Sequence, residues 1–129
     1  MPSAVEERRR EQQRLIGLAR QYVGDLSGRL PLRAAAVVGS VARGDFNVWS
    51  DVDVVVVADE LPDHPAERTG LLLSGAPPGV QPVGFTPREL AAALARRNRI
   101  LLELADRGVM LAGEPWLRTR LAERPNPSG

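Results

Sequence analysis

Two aspartates, Asp51 and Asp53, stand one residue apart at the start of an apolar run of valines. In an extended strand, side chains two residues apart point to the same face and lie about 6 to 7 Å apart. Two negative charges at that distance repel by about 2.5 kcal/mol at an effective dielectric of about 20, before any cost of burial. Mg²⁺ would offset this repulsion, because it binds carboxylate oxygens and completes its coordination with water and substrate phosphates. The pair therefore predicts a magnesium site that serves a phosphate-bearing substrate.

A Gly-Ser pair, Gly39 and Ser40, ends the preceding apolar run AAAVV. Where a strand runs into a glycine and then a helix or tight turn, backbone N–H groups converge and hold phosphate oxygens, and a serine hydroxyl adds a donor. Arg43 is a candidate phosphate clamp; the other interpretation is an ion pair with Asp45 or with the two aspartates. The bend and the aspartates together predict one centre for a nucleoside triphosphate and its metal ions.

These residues belong to a longer pattern, G-S-x-x-x-G-x5-S-D-x-D, whose fixed members are Gly39, Ser40, Gly44, Ser50, Asp51 and Asp53. The pattern resembles the motif of the nucleotidyltransferase superfamily built on the DNA polymerase β fold. The string GSVARGD is similar in particular to the minimal nucleotidyltransferases of prokaryotes. The resemblance implies an α/β (α+β) protein with a small mixed β-sheet flanked by helices.

The resemblance also implies a reaction and the residues that carry it. A nucleoside monophosphate, which we expect to be AMP from ATP, passes to an acceptor hydroxyl with the help of two Mg²⁺ ions. Asp51 and Asp53 are expected as the catalytic residues and metal ligands. The residues expected to bind the nucleotide and its phosphates are Gly39, Ser40, Arg43 and Ser50.

A third carboxylate, which the resemblance places on the neighbouring strand, is missing from this chain. That strand reads VQPVGFT, and Gln81 is the candidate third position facing the metals. A neutral amide offers an oxygen to Mg²⁺ but cannot accept the proton of the acceptor hydroxyl. Three interpretations stay open: the chain binds nucleotide without catalysis, it catalyses slowly on an acceptor activated by a partner, or Glu89 or Asp45 supplies the acid.

Composition excludes several other kinds of site. The 129 residues contain 17 arginines, no lysine and no cysteine, which rules out lysine and cysteine nucleophiles, disulfides and thiolate metal sites. The net charge of +1 does not favour a nucleic-acid partner, since it gives no global field to attract one. No apolar segment of membrane-spanning length and no leader pattern is visible, so we expect a cytoplasmic protein without a membrane contact.

Hydrophobic periodicity predicts the elements that would position the motif. We expect one domain over residues 1–129, with a first amphipathic helix over about 4–28, a core over about 31–113 and a flexible tail over about 123–129. Thr86 to Glu89 reads as a capping box that starts a helix, and a second helix closes at Gly108. The expected strands are Pro31–Val38, Asp51–Ala58, Val80–Phe85 and 109–111. Because it contains Pro82, the third of these is expected to lie at a sheet edge or to carry a bulge.

Two functions remain at this stage. The first is a Mg²⁺-dependent nucleotidyltransferase; the resemblance implies a small helical partner of the HEPN type, a toxin to which the chain adds AMP as its antitoxin. The second is a non-catalytic nucleotide-binding antitoxin or regulatory module. The missing acid near Gln81 favours the second function, whereas the intact bend and aspartate pair favour the first.

Overall fold

The computed structural model describes residues 3–123. Within them the chain forms six helices and four strands. Their order is α1 (Ala4–Ser27), β1 (Ala34–Val38), α2 (Gly39–Arg43), β2 (Val52–Val57), α3 (Pro65–Leu73), β3 (Val80–Phe85), α4 (Pro87–Ala95), α5 (Arg99–Arg107), β4 (Val109–Ala112) and α6 (Glu114–Ala122).

The four strands form one mixed sheet in the order β3-β2-β1-β4. β1 pairs antiparallel with both β2 and β4, and β2 pairs parallel with β3. The expected mixed α/β fold is therefore confirmed. β3 lies at an edge, which is where a strand containing Pro82 is tolerated.

The two faces of the sheet bury two separate sets of side chains. Even-numbered valines of β2, such as Val54, pack with the buried face of α1. Odd-numbered valines such as Val55 pack with buried leucines of α4, α5 and α6. Because side chains alternate along a strand, Asp53 shares the face of Val55 and so lies on the side of the sheet that α5 covers.

Local signals in the sequence explain where the helices begin. The Ser3 hydroxyl accepts a hydrogen bond from the Glu6 N–H at 3.1 Å and so caps α1. The capping box at α4 is present, with Thr86 Oγ1 accepting from the Glu89 N–H at 3.2 Å and Glu89 Oε1 accepting from the Thr86 N–H at 2.8 Å. Each cap satisfies amide groups that the helix itself leaves without acceptors.

Some boundaries differ from the sequence-based expectations. β1 and β2 are shorter than expected, and Asp51 immediately precedes the first residue of β2. α6 was not expected; its Leu117, which lies beyond the expected core boundary at 113, is fully buried. Residues 124–129, which make up nearly all of the expected flexible tail, lie outside the described residues. No helix in residues 3–123 has the length and apolar character needed to cross a bilayer.

Candidate active site

The Gly39–Ser40 bend and Asp53 lie against each other across β1 and β2. Val38, the last residue of β1, is the antiparallel partner of Asp53, so the chain leaves β1 beside the aspartate. Gly39 has a φ of +77°, and a Cβ at this position would lie 2.5 Å from Oδ2 of Asp53. Glycine is required here twice, for the left-handed backbone and for the space that the carboxylate occupies.

The motif's second glycine closes the short helix that follows the bend. Gly44 has a φ of +89° and caps α2, and its N–H donates to the Ser40 carbonyl at 2.8 Å. The start of α2, at Val38, has no side-chain cap. The first-turn N–H groups of α2, which follow directly after the bend, therefore have no side-chain acceptor among residues 3–123.

Asp51 and Asp53 are close enough to interact, and no described side chain forms an ion pair with either of them. Asp51 is exposed and Asp53 is half-buried, and within the described part of the chain neither carboxylate makes a hydrogen bond or an ion pair. Burial raises the pKa of Asp53, the negative charges of Asp51 and Glu103 raise it further, and Arg43 lowers it. Such an uncompensated pair of carboxylates suits a divalent cation, so the donor set fits Mg²⁺.

The other predicted site residues have different surroundings. The Ser50 hydroxyl accepts from the Asn47 N–H at 2.9 Å, so it closes the turn that leads into Asp51. Gln81 is the parallel partner of Asp53 on β3 and is exposed. Neighbouring residues in register point to the same face, so the amide lies on the same side as the Asp53 carboxylate.

The two acids that could replace the missing carboxylate are already paired. Glu89 Oε1 accepts from Arg68 Nη1 at 2.7 Å in addition to closing the capping box. Asp45 lies 3.3 Å from Nε of Arg43. Across residues 3–123, no three His, Cys, Asp or Glu side chains are grouped as a metal site would need. Neither Glu89 nor Asp45 is therefore free to replace the missing carboxylate.

Glu103 was missed by sequence reasoning. It lies on α5, fifty residues after Asp53, and its carboxylate is near enough to Asp53 to raise the pKa of that residue. It also lies 3.4 Å from Nη1 of Arg43. The only signal for it was the helical spacing that buries Leu101 and Leu104 and leaves Glu103 at the margin of the same face.

Two cavities adjoin the motif on opposite sides. One of about 260 Å³ lies between α2 and α5 and is lined by Gly39, Ala42, Arg43, Glu103, Asp106 and Arg107. A larger one of about 680 Å³ lies between α1 and the loop 45–50. Neither Asp51 nor Asp53 lines either of these two cavities. We place the candidate site at the smaller cavity, because it is lined by Gly39, which lies against the Asp53 carboxylate.

Comparison with protein families agrees with this geometry. A family model described as a nucleotidyltransferase domain matches residues 19–103, which is more than half of the chain and includes the whole motif. The chain belongs to this nucleotidyltransferase family. The resemblance drawn from Gly39 to Asp53 is confirmed.

Two solved structures resemble the nucleotidyltransferase fold described above. A protein from Sulfolobus solfataricus, assigned as a nucleotidyltransferase, has a TM-score of 0.61 at 21% identity and covers 80% of this chain and 84% of its own. A toxin–antitoxin structure with AMP-PNP has a TM-score of 0.56 at 21% identity, covering 79% of this chain and 82% of that one. No curated protein sequence matches the chain. At this identity the two likenesses show the fold.

Proposed function

We propose that the chain binds ATP at the Gly39–Ser40 bend, with Mg²⁺ held by Asp51 and Asp53, and transfers AMP to an acceptor hydroxyl. The observation that carries the proposal is the contact between Gly39 and Asp53. It brings amide donors for phosphate and free carboxylates for a cation to one point of the sheet. When bound, Mg²⁺ supplies charge neutralisation for the triphosphate and for the leaving pyrophosphate.

In the proposed reaction the acceptor oxygen forms a bond to the α-phosphorus of ATP, and the bond between the α- and β-phosphates breaks. Pyrophosphate carries away the electron pair of the broken bond. The Ser40 hydroxyl and the first amides of α2 hold the outer phosphates, which keeps the α-phosphorus in line with the acceptor. The proton of the acceptor hydroxyl passes to solvent or to a base on the acceptor, because Gln81 cannot receive it.

The acceptor is proposed to be a hydroxyl side chain of a partner protein in the cytoplasm. The fold resembles that of a toxin–antitoxin structure with AMP-PNP, which supports a nucleotide-binding protein that works with a partner. From the resemblance of GSVARGD to the minimal nucleotidyltransferases, we propose a small helical HEPN-type toxin as that partner and the chain as its antitoxin.

One observation favours a second function. Gln81 stands beside Asp53 where a third carboxylate would be expected, and both Glu89 and Asp45 are paired with arginines. A centre with two carboxylates and an amide binds Mg²⁺ and ATP but lacks a general base. The second candidate is therefore a nucleotide-binding antitoxin that neutralises its partner by contact.

Labelled ATP distinguishes the two functions. The chain is incubated with Mg²⁺, α-³²P-ATP and the protein encoded next to its gene, and transfer is followed by autoradiography. Labelled partner supports the transferase, and ATP binding without transfer supports the binding module. The control is Asp51→Asn combined with Asp53→Asn, which should abolish both transfer and Mg²⁺-dependent ATP binding. ATP binding that survives this double substitution would contradict both functions.

The variant Gln81→Glu tests the missing acid directly. A glutamate would restore a carboxylate next to Asp53 and thus a proton acceptor. If catalysis is limited by the missing base, transfer should rise by about 100-fold, the usual lower range for a positioned general base. An unchanged rate would show that the acceptor supplies its own base.

A further inference from the structure

Arg43 has several acidic groups within reach and pairs with only some of them. Its Nε lies 3.3 Å from Asp45 and its Nη1 lies 3.4 Å from Glu103. Its charge also acts on Asp53, whose pKa it lowers. Among the described ion pairs, however, none joins Arg43 to Asp51 or Asp53. The guanidinium therefore lies near Asp53 without forming an ion pair with either aspartate.

We propose that Glu103 of α5 is a positioning residue. It holds the side chain of Arg43, the last residue of α2, beside the bend and away from Asp51 and Asp53. The proposal rests on the proposed function, because it assigns a reason for keeping these two carboxylates free. A guanidinium that formed a two-point hydrogen-bonded pair with an aspartate would use the oxygens that Mg²⁺ needs. Kept on Glu103, the same guanidinium stays close enough to the bend to contact a bound triphosphate.

The helix that carries Glu103 is firmly anchored. Leu101 and Leu104 of α5 are fully buried in the core between this helix and the sheet. Asn98 caps the helix through its side-chain oxygen, which accepts from the N–H groups of Ile100 and Leu101. The Glu103 carboxylate is thus a fixed point, and its side chain is only 32% exposed. Asp45, by contrast, lies in a loop with a side chain that is 65% exposed, so its pairing is weak in water.

The Arg43 side chain has room to move if its ion pair with Glu103 is lost. The cavity of about 260 Å³ between α2 and α5 adjoins both side chains and also reaches Gly39. Released from Glu103, the guanidinium would be drawn toward the aspartate pair, where two like charges stand close together. The other charged groups on this face of α5 are Arg99, Asp106 and Arg107, and none of them pairs with Arg43 in the described ion pairs.

A direct role of Glu103 as a third metal ligand has less support. The described carboxylates include no group of three that could hold a metal ion. Glu103 also interacts with two arginines, Arg43 at 3.4 Å and Arg99 at 3.8 Å. Its contact with Arg43 is therefore the interaction by which Glu103 is proposed to keep the two aspartates free.

A double-mutant cycle with Mn²⁺ as the probe tests the proposal. The full-length protein and the variants Glu103→Gln, Arg43→Gln and their combination are titrated with Mn²⁺ alone, and free Mn²⁺ is measured by electron paramagnetic resonance. Glu103→Gln should weaken Mn²⁺ binding about tenfold, as expected when a group that orients a metal site is removed. In the Arg43→Gln background the same substitution should change binding less than twofold.

Glu114→Gln is the matched control, since Glu114 pairs with Arg118 at 2.8 Å on α6 and does not line this cavity. It removes one negative charge and should change Mn²⁺ binding less than twofold. The proposal is overturned if Glu103→Gln weakens binding equally in both backgrounds, or if it has no effect. Asp53→Asn separates this result from the proposed function: Mn²⁺ binding that persists in that variant would refute the metal site itself.

Discussion

Gly39 leaves space for the Asp53 carboxylate: a Cβ on residue 39 would lie 2.5 Å from Oδ2 of that aspartate. The left-handed backbone at Gly39 and the free carboxylate at Asp53 therefore depend on each other. Any side chain at position 39 would push the aspartate away from the bend and would also strain its own backbone.

Gly39→Ala should lower the free energy of unfolding by about 1 to 3 kcal/mol, because it adds backbone strain at a φ of +77° and a clash with Asp53. Thermal unfolding measures the loss. The matched control is Gly70→Ala, at a helical glycine with open space around its Cβ, which should stabilise by about 0.5 to 1 kcal/mol. Combining Gly39→Ala with Asp53→Ala should restore the part of the lost free energy of unfolding that comes from the clash. A neutral Gly39→Ala would contradict the observed contact.

Mg²⁺ should stabilise the protein through Asp51 and Asp53. At a concentration 100 times the dissociation constant, a ligand that binds only the folded state adds about 2.7 kcal/mol. For a chain of this size that corresponds to a rise of about 10 °C in the unfolding midpoint. Asp53→Asn preserves the shape of the side chain and should abolish the rise, whereas Asp59→Asn, at an exposed aspartate paired with Arg33, should leave it intact. An equal rise in both variants would place the cation elsewhere.

Without metal, Asp53→Asn should make the protein more stable at neutral pH. The pKa of Asp53 is raised in the folded state, so folding takes up a proton between the ordinary value of 3.8 and the native value. Stability from this group is therefore fully present below pH 3.8 and is lost as the pH rises through the native pKa. Denaturant unfolding from pH 3 to 7 measures the free energy of unfolding of the original chain and of Asp53→Asn. The variant should become increasingly more stable than the original chain as the pH rises. A constant difference would show that Asp53 titrates normally.

Glu89 should stabilise the fold without binding the metal ion. Thr86→Ala removes one half of the capping box and should cost about 1 kcal/mol of stability. Glu89→Gln should weaken the Arg68 pair but keep Mn²⁺ binding within twofold of the original chain. Chemical denaturation and Mn²⁺ titration measure the two effects separately. A large loss of metal binding in Glu89→Gln would make it the missing third ligand after all.

Local patterns predicted most of the fold, because the relevant signals lie within a few residues of each other. The capping box at Thr86, the edge position of the strand with Pro82 and the close of α5 at Gly108 each follow from short-range rules. α6 escaped notice because only Leu117 of this helix is fully buried, which leaves little periodicity to detect.

The candidate site residues that lie in one short segment could be predicted from the sequence. Those that only the folding of distant segments brings together could not. Gly39 and Asp53 belong to a single motif, so their meeting could be inferred from spacing. Glu103 comes from a helix fifty residues away, and only the packing of α5 on the sheet places it near Arg43. Trp49 is 88% exposed beside the turn that Asn47 and Ser50 close by hydrogen bonds.

The loop that leads into Asp51 is fastened from the far side of the sheet. Arg8 of α1 donates from Nε to the Gly44 carbonyl at 2.9 Å and from Nη2 to the Phe46 carbonyl, and its guanidinium lies 4.7 Å from the centre of the Phe46 ring. These contacts span up to 38 residues of sequence. A truncated version for crystallography or fragment screening must therefore begin upstream of Arg8, even though the motif itself starts only at Gly39.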